Sequence, residues 1–282
     1  MTRKLYYEDC HIREFTARVE SATPTEHGWQ IRLDATAFYP GGGGQACDVG
    51  YLDDVKVLET FGEDEIIHLC DGKLEPGQTV TGRIDYDRRF DLMQQHTGEH
   101  ILSGVVHRRY GYHNTGFHVG ADVMEVDFDG PLTPEEVAWA ELEANKAIWQ
   151  NLPVRCWYPA EEELPSVPYR RKRDLPWPVR IVEFPDFDIC ACCGTHVKRT
   201  GEIGIIKLTA FQNYKGGTRL FMLCGKRAFK DYQSKNGDVI KVTNSLSVKP
   251  NELCLAVKRF ENEITEHKIY ESALKKELFS LK

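Results

Sequence analysis

The sequence predicts an α+β protein: a small N-terminal β-barrel, then an antiparallel sheet with helices, then a C-terminal helix. Three observations carry this. Up to about residue 87, WQIRLDA and TVTGRIDYD alternate apolar and polar residues, and EHG, the glycine run, FGED and LCDGK punctuate them as turns. Short strands at such spacing suit a small barrel. From Arg88 the period becomes helical, through RRFDLMQQHTGEHILSGVVHRRYG to Gly111, with no proline to interrupt it. Beyond that point strands and helices mix without regular βα alternation, which favours an antiparallel sheet over a doubly wound one. The expected divisions are 1–87, 88–245 and 246–282.

The later elements follow the same logic. GYHNTGFHVG and DVMEVDFDG read as strands. In TPEEVAWAELEANKAIWQN, Thr133 and Glu136 form a capping box, Pro134 takes the first helical position, and Val137, Ala140, Ala144, Ala147 and Ile148 mark a buried face. VRCWYP, VRIVEFP, IGIIKLTAFQNY and GTRLFMLC read as further strands, with a helix from about Lys226 to Ser234. Leu253, Val257, Phe260, Ile264, His267, Glu271, Leu274 and Leu278 alternate steps of four and three, a heptad seam with two polar interruptions. The seam is still running at Lys282, as expected of a piece of a longer polypeptide, and it is expected to serve as a homodimer seam or a linker.

Composition narrows the function. A chain of 282 residues has room for two ordinary domains, and its 28% charged and 41% hydrophobic content excludes a disordered chain. No apolar run reaches the ~20 residues that span a bilayer. MTRKLYYEDC has no apolar signal core, so the expected location is the cytoplasm, with no membrane partner. Nine cysteines point to reduced thiols and, where Cys190, Cys192 and Cys193 crowd together, to metal or redox chemistry. A net charge of -7 argues against a wholly electropositive nucleic-acid binder but leaves room for a local basic patch.

Chemistry concentrates in two motifs. In QQHTGEH, His96 and His100 stand four apart, so a helix puts both imidazoles on one face where they can chelate one ion. In CACCGTH, Cys192 and His196 are also four apart, and Gly194 lets the backbone fold so that thiolate and imidazole converge. The combined nitrogen and sulfur set suits zinc. Each half has a plainer reading: HxxxH as an ordinary helix pair, and Cys190 with Cys193 as a redox pair. Spacing alone does not bring the halves together. A third feature, FYPGGGGQACDVG, sets Gly41, Gly42, Gly43 and Gly44 before Gln45 and so contains the GGQ used by release factors. No GK[ST] follows the glycines, so a P-loop is disfavoured, and a tight turn between strands is the simplest alternative.

GRIDYDRRFDLMQQHTGEHILS, followed far downstream by CACCGTHVKRTGEIGIIK, resembles the editing domain of alanyl-tRNA synthetases and its free-standing AlaX relatives. FYPGGGGQACDVG looks like the glycine motif of the same family, and the resemblance covers roughly residues 1–245. It implies a β-barrel beside an α+β editing domain shared with threonyl-tRNA synthetases. It also implies zinc held by His96, His100, Cys192 and His196, with Cys193 where the family usually has glycine. The implied activity is trans-editing: hydrolysis of seryl-tRNA(Ala), often glycyl-tRNA(Ala), with alanyl-tRNA(Ala) spared. It lowers the release-factor reading of the glycine run, since the loop then lies in a barrel beside a metal site.

Rejecting alanine by its missing hydroxyl requires a polar group in the pocket. Spacing from the HxxxH helix makes Thr115 and His118 candidates, with Thr97 inside HTGEH a third. Their plain reading is a residue facing solvent or core. For tRNA, YRRKRDLPWPVR offers Arg170, Arg171, Lys172, Arg173 and Arg180 with Trp177 interleaved, a basic stretch that equally fits a solvated loop. The rival functions are editing of another aminoacyl-tRNA and a zinc-stabilised tRNA-binding module without hydrolysis.

Overall fold

The computed structural model describes residues 1–171 and 177–280. Six strands close a barrel: β1 (Glu14–Thr25), β2 (Gly28–Leu33), β3 (Gly50–Leu52), β4 (Val55–Phe61), β5 (Ile67–Cys70) and β6 (Thr79–Ile84). Their order around it is β1-β2-β5-β4-β3-β6, every pairing antiparallel. The inward set, including Phe15, Val19, Ile31, Leu33, Leu52, Val57 and Val80, is buried around Phe38, so side chains fill the barrel.

Helix α1 (Tyr86–Tyr110) starts on the Asp85 cap, whose side chain accepts from Arg88 N, and ends at Gly111 in the left-handed conformation. It buries residues on nearly every side, from Arg89 to Val106. Arg89 ties it to the barrel: wholly buried, its Nε meets both oxygens of Asp48 at 2.9 Å, and the guanidinium also donates to the carbonyls of Cys10 and Ala37. Asp48 lies four residues past the glycine run, so the pair also fixes where that run leaves the barrel.

Against α1 lies the sheet β7 (Asn114–Val119), β8 (Met124–Phe128), β12 (Ile206–Tyr214) and β13 (Gly217–Cys224), ordered β12-β13-β8-β7 and antiparallel throughout. Helix α2 (Pro134–Gln150) has the expected capping box, and Val137, Ala140, Ala144, Ala147 and Ile148 are buried as expected. A second antiparallel sheet joins β9 (Arg155–Trp157), β10 (Ile181–Phe184) and β11 (Asp188–Ala191). The last of these strands went unread in the sequence.

The chain forms two compact units, Met1–Ala228 and Phe229–Lys282. The second is helical, formed by most of α3 (Gly225–Leu246) and by α4 (Leu253–Ser280). Helix α3 runs past the expected stop at Ser234, because one interior glycine, Gly237, costs only about 1 kcal/mol and does not end a helix by itself. In α4 the seam residues Val257, Ile264, Leu274 and Leu278 are exposed, and Ala256 is the buried residue. No helix among the described residues is long and apolar enough to cross a membrane.

Candidate metal centre and its cavity

His96 and His100 lie one turn apart on α1, their rings stacked with centroids 5.0 Å apart. The loop after β11 brings Cys192 and His196 against them, and ligand atoms of all four lie within 4.8 Å of one another. The separations fit a tetrahedral ion. Cys192 Sγ is 3.5 Å from His96 Nε2 and 3.4 Å from His196 Nε2. Typical zinc bonds of ~2.05 Å to nitrogen and ~2.3 Å to sulfur put such neighbours about 3.6 Å apart.

Each imidazole turns one nitrogen to the cluster and gives the other to a protein partner, as metal-ligating histidines do. His96 Nδ1 meets Gln45 Oε1 at 2.8 Å, and His196 Nδ1 meets Thr97 Oγ1 at 3.2 Å. His100 Nδ1 faces Cys190 Sγ at 2.9 Å and Asp188 Oδ2 at 3.5 Å. Its Nε2 is buried without a hydrogen-bond partner, which a metal ion would supply. Gly194 has to be glycine, because a Cβ there would fall 2.2 Å from His96 Cε1.

Electrostatics agree with this donor set. Burial pushes the Cys192 thiol up, but the three facing imidazoles outweigh it and hold the thiol well below its ordinary value. Burial drives His196 down to about 3, keeping its lone pair available. Burial also works to lower His100, yet Cys190, Cys192, Glu99 and Asp188 hold it well above the ordinary value. Negative groups thus call for a positive charge at His100, a demand that a proton or a divalent cation meets. Burial raises Cys190 to about 12, with His100 working the other way, while Cys193 is exposed.

The glycine run forms the rim of the adjoining cavity. Gly41, Gly42, Gly43 and Gly44 all have positive φ, at 82°, 124°, 57° and 85°, and a Cβ on Gly44 would strike the Phe117 ring at 2.6 Å. Gln45 closes the turn, exchanging backbone hydrogen bonds with Gly42. Its side chain leaves the rim: Oε1 accepts from Thr195 N and Nε2 donates to Thr195 Oγ1 at 2.7 Å, so one amide braces both halves of the cluster.

The cavity, of about 1670 Å³, is lined by His96, Glu99, His100, the glycines, Asn114, Thr115 and Phe117, among others. Thr115 reaches it. His118 does not: it is exposed and not among the lining residues. Thr97 sits behind His196, fully buried, and supports the cluster from outside the cavity.

The basic stretch also differs from expectation. Arg170 gives its guanidinium to Asp188 at 2.6 and 2.7 Å, and so stands behind His100 as a charge partner. Arg180 is buried and donates to the carbonyls of Cys192 and Gly194, both at 2.9 Å, holding the cysteine loop. Arg171 is exposed beside Tyr169, whereas Lys172 and Arg173 lie outside the described residues. Sequence reading missed Gln45 as a partner of His96, and it missed Glu99. The second had a signal: His96, Glu99, His100 and Ser103 follow the i, i+3, i+4, i+7 pattern of one helix face.

Comparison with known proteins agrees with this geometry. Residues 179–225 match the Threonyl and Alanyl tRNA synthetase second additional domain. The chain is 35% identical to an alanine–tRNA ligase of Pyrococcus abyssi over 99% of its own length, but spans only 32% of that protein. It is 33% identical to the alanyl-tRNA editing protein AlaX-L of Pyrococcus horikoshii, with 94% of this chain and 70% of that one aligned. It is 32% identical to the alanyl-tRNA editing protein Aarsd1 of Mus musculus, with 92% and 67% aligned.

Proposed function

The chain belongs to the alanyl-tRNA editing family, and from that premise we propose that it deacylates mischarged tRNA(Ala), seryl-tRNA(Ala) foremost and glycyl-tRNA(Ala) second, at a zinc-bearing site. The observation that carries this is the His96, His100, Cys192 and His196 cluster with its orphaned His100 Nε2 at the wall of a deep cavity. The cavity has room for an aminoacyl group together with a terminal nucleoside.

The bond to be cut is an activated ester, so the protein must position water and stabilise charge at the carbonyl oxygen more than supply a strong nucleophile. Zinc bound here would contribute Lewis acidity toward the ester or its attacking water. Four protein donors are also the pattern of a closed structural site, and on that reading the ion organises the wall on which the substrate rests. Gln45, Thr97 and Asp188 hold the imidazoles in one orientation in either case. The glycine rim lets backbone come close to the substrate without side chains in the way. The Thr115 hydroxyl donates to Asp127 O at 3.3 Å and keeps its acceptor lone pairs for a substrate hydroxyl.

The test combines kinetics with metal analysis. Purified protein, beside His96→Ala and Cys192→Ala, is incubated with seryl-, glycyl- and alanyl-tRNA(Ala), and zinc is quantified. Wild type should carry one zinc and cleave seryl-tRNA(Ala) at least about a hundredfold faster than alanyl-tRNA(Ala). Both variants should lose zinc and activity together. An intact seryl ester beside zinc-loaded wild type would refute the activity, and equal cleavage of all three would refute the selectivity.

A further inference from the structure

The aminoacyl group of such a substrate carries a free α-amine, which is largely protonated at neutral pH given an ordinary value near 7.7–8.0. Bringing an ammonium into a buried site beside a metal cluster is costly unless an anion meets it. Two buried carboxylates line the cavity, Asp188 and Glu99. Asp188 is already neutralised by the two-bond contact with Arg170. Glu99, only 2% exposed, is held by neutral donors: Ser103 Oγ gives a hydrogen bond to Oε1 at 2.5 Å, and the Asn114 amide donates to the same oxygen.

The other oxygen, Oε2, has no hydrogen bond among the described residues and lies 3.9 Å from His100 Nε2. One oxygen is therefore locked in place, and the other sits at the cluster edge of the cavity, facing His100. Resting on the deacylase reading above, we propose that Glu99 binds the α-ammonium of the aminoacyl group and so sets the position of the scissile ester. The geometry is restrictive. In an amino acid the carbonyl carbon lies about 2.5 Å from the amine nitrogen, so an ammonium on Oε2 keeps the ester carbonyl within about 5.5 Å of that oxygen, which itself lies 3.9 Å from His100 Nε2. Ser103 and Asn114 act through Glu99 as positioning residues.

The experiment compares seryl-tRNA(Ala) with N-acetyl-seryl-tRNA(Ala), which has the same ester and hydroxyl but no ammonium. Single-turnover rates at subsaturating enzyme are measured for wild type and Glu99→Gln, with metal content determined for both. Wild type should cleave the free-amine ester roughly 10- to 100-fold faster than the acetylated one, the range of a hydrogen bond to a charged group. Glu99→Gln should keep its metal, lose about that factor on the free amine, and bring the two rates close together. If acetylation slows wild type only through bulk, the variant will keep the same ratio, and the assignment is wrong. Equal rates for wild type, or loss of metal from Glu99→Gln, would also overturn it. If metal-loaded wild type cleaves neither ester, the deacylase reading itself fails, a result distinct from each of these.

Discussion

Histidines are buried in both the barrel and the α1 cluster, and they are satisfied in opposite ways. In the barrel His68 is inaccessible, with Nδ1 donating to Ile31 O at 3.1 Å and Nε2 accepting from Thr36 Oγ1 at 2.8 Å, so neither nitrogen is left over. In the cluster His96, His100 and His196 each give one nitrogen to the protein and turn the other toward a shared centre where a thiol also points. The barrel arrangement satisfies both nitrogens, whereas the cluster leaves His100 Nε2 without a partner, a gap that a cation would fill. Counting partners at each nitrogen therefore separates a core histidine from a ligand, which burial alone does not.

The largest effect expected from this contrast is a pH response of the barrel. Burial drives His68 from 6.5 down to about 4, with the Ile31 carbonyl working the other way. Between those values the unfolded chain binds a proton that the folded chain refuses. Stability from this group is thus complete above pH 6.5 and falls as the pH drops toward 4, by about 1.4 kcal/mol per unit. In urea unfolding at pH 7 and pH 4.5, wild type should lose about 2–3 kcal/mol more than His68→Asn. Effects of acid on the cluster are common to both proteins and cancel in the difference. Equal losses would mean that His68 accepts its proton while folded, and the contrast with the cluster would collapse.

The second prediction weakens the cluster without touching a ligand. In Gln45→Met, His96 Nδ1 and Thr195 lose the amide that braces them. Metal affinity in competition with a chelator should fall roughly 10- to 100-fold, the usual cost of removing an outer partner. An unchanged affinity would show that α1 alone orients His96.

The contrast also explains what could be read from the sequence. His96 with His100, and Cys192 with His196, were legible because local periodicity and one glycine decide them. Their meeting across nearly a hundred residues was not: that part came from resemblance, since no spacing rule joins a helix to a loop after a distant strand. Gln45 was conspicuous for the tripeptide it completes, yet its side chain serves His96, a relation that exists only once the barrel rim lies beside α1. The pairing of Arg170 was not legible, because a charge run does not reveal that a buried carboxylate, Asp188, waits on an unread strand. Helix α1 was legible as a helix though not as a nearly all-round buried one, because Gln94, Gln95, Glu99 and Ser103 look like a solvent face until their partners are in place.

The smallest predicted effect concerns the rim, where the contrast becomes one between side chains and backbone. A Cβ on Gly43 meets nothing within 4 Å, and on Gly42 it meets Tyr39 Oη at 3.6 Å, an ordinary contact. The obstacle to alanine there is conformational: φ of 57° and 124° costs an L-residue roughly 1–2 kcal/mol at each position. Replacing both should shift the turn while the Gln45 amide, anchored on His96 and Thr195, stays put. If the rim meets the substrate as proposed, deacylation of seryl-tRNA(Ala) should therefore fall several-fold with metal content unchanged, since the glycines line the cavity and make no contact with the cluster's ligand atoms that alanine would remove. Retained activity would reduce the stretch to a turn between strands. Loss of metal would instead make rim and cluster a single unit, and the release-factor-like GGQ would then owe its glycines to the placement of one glutamine behind a histidine.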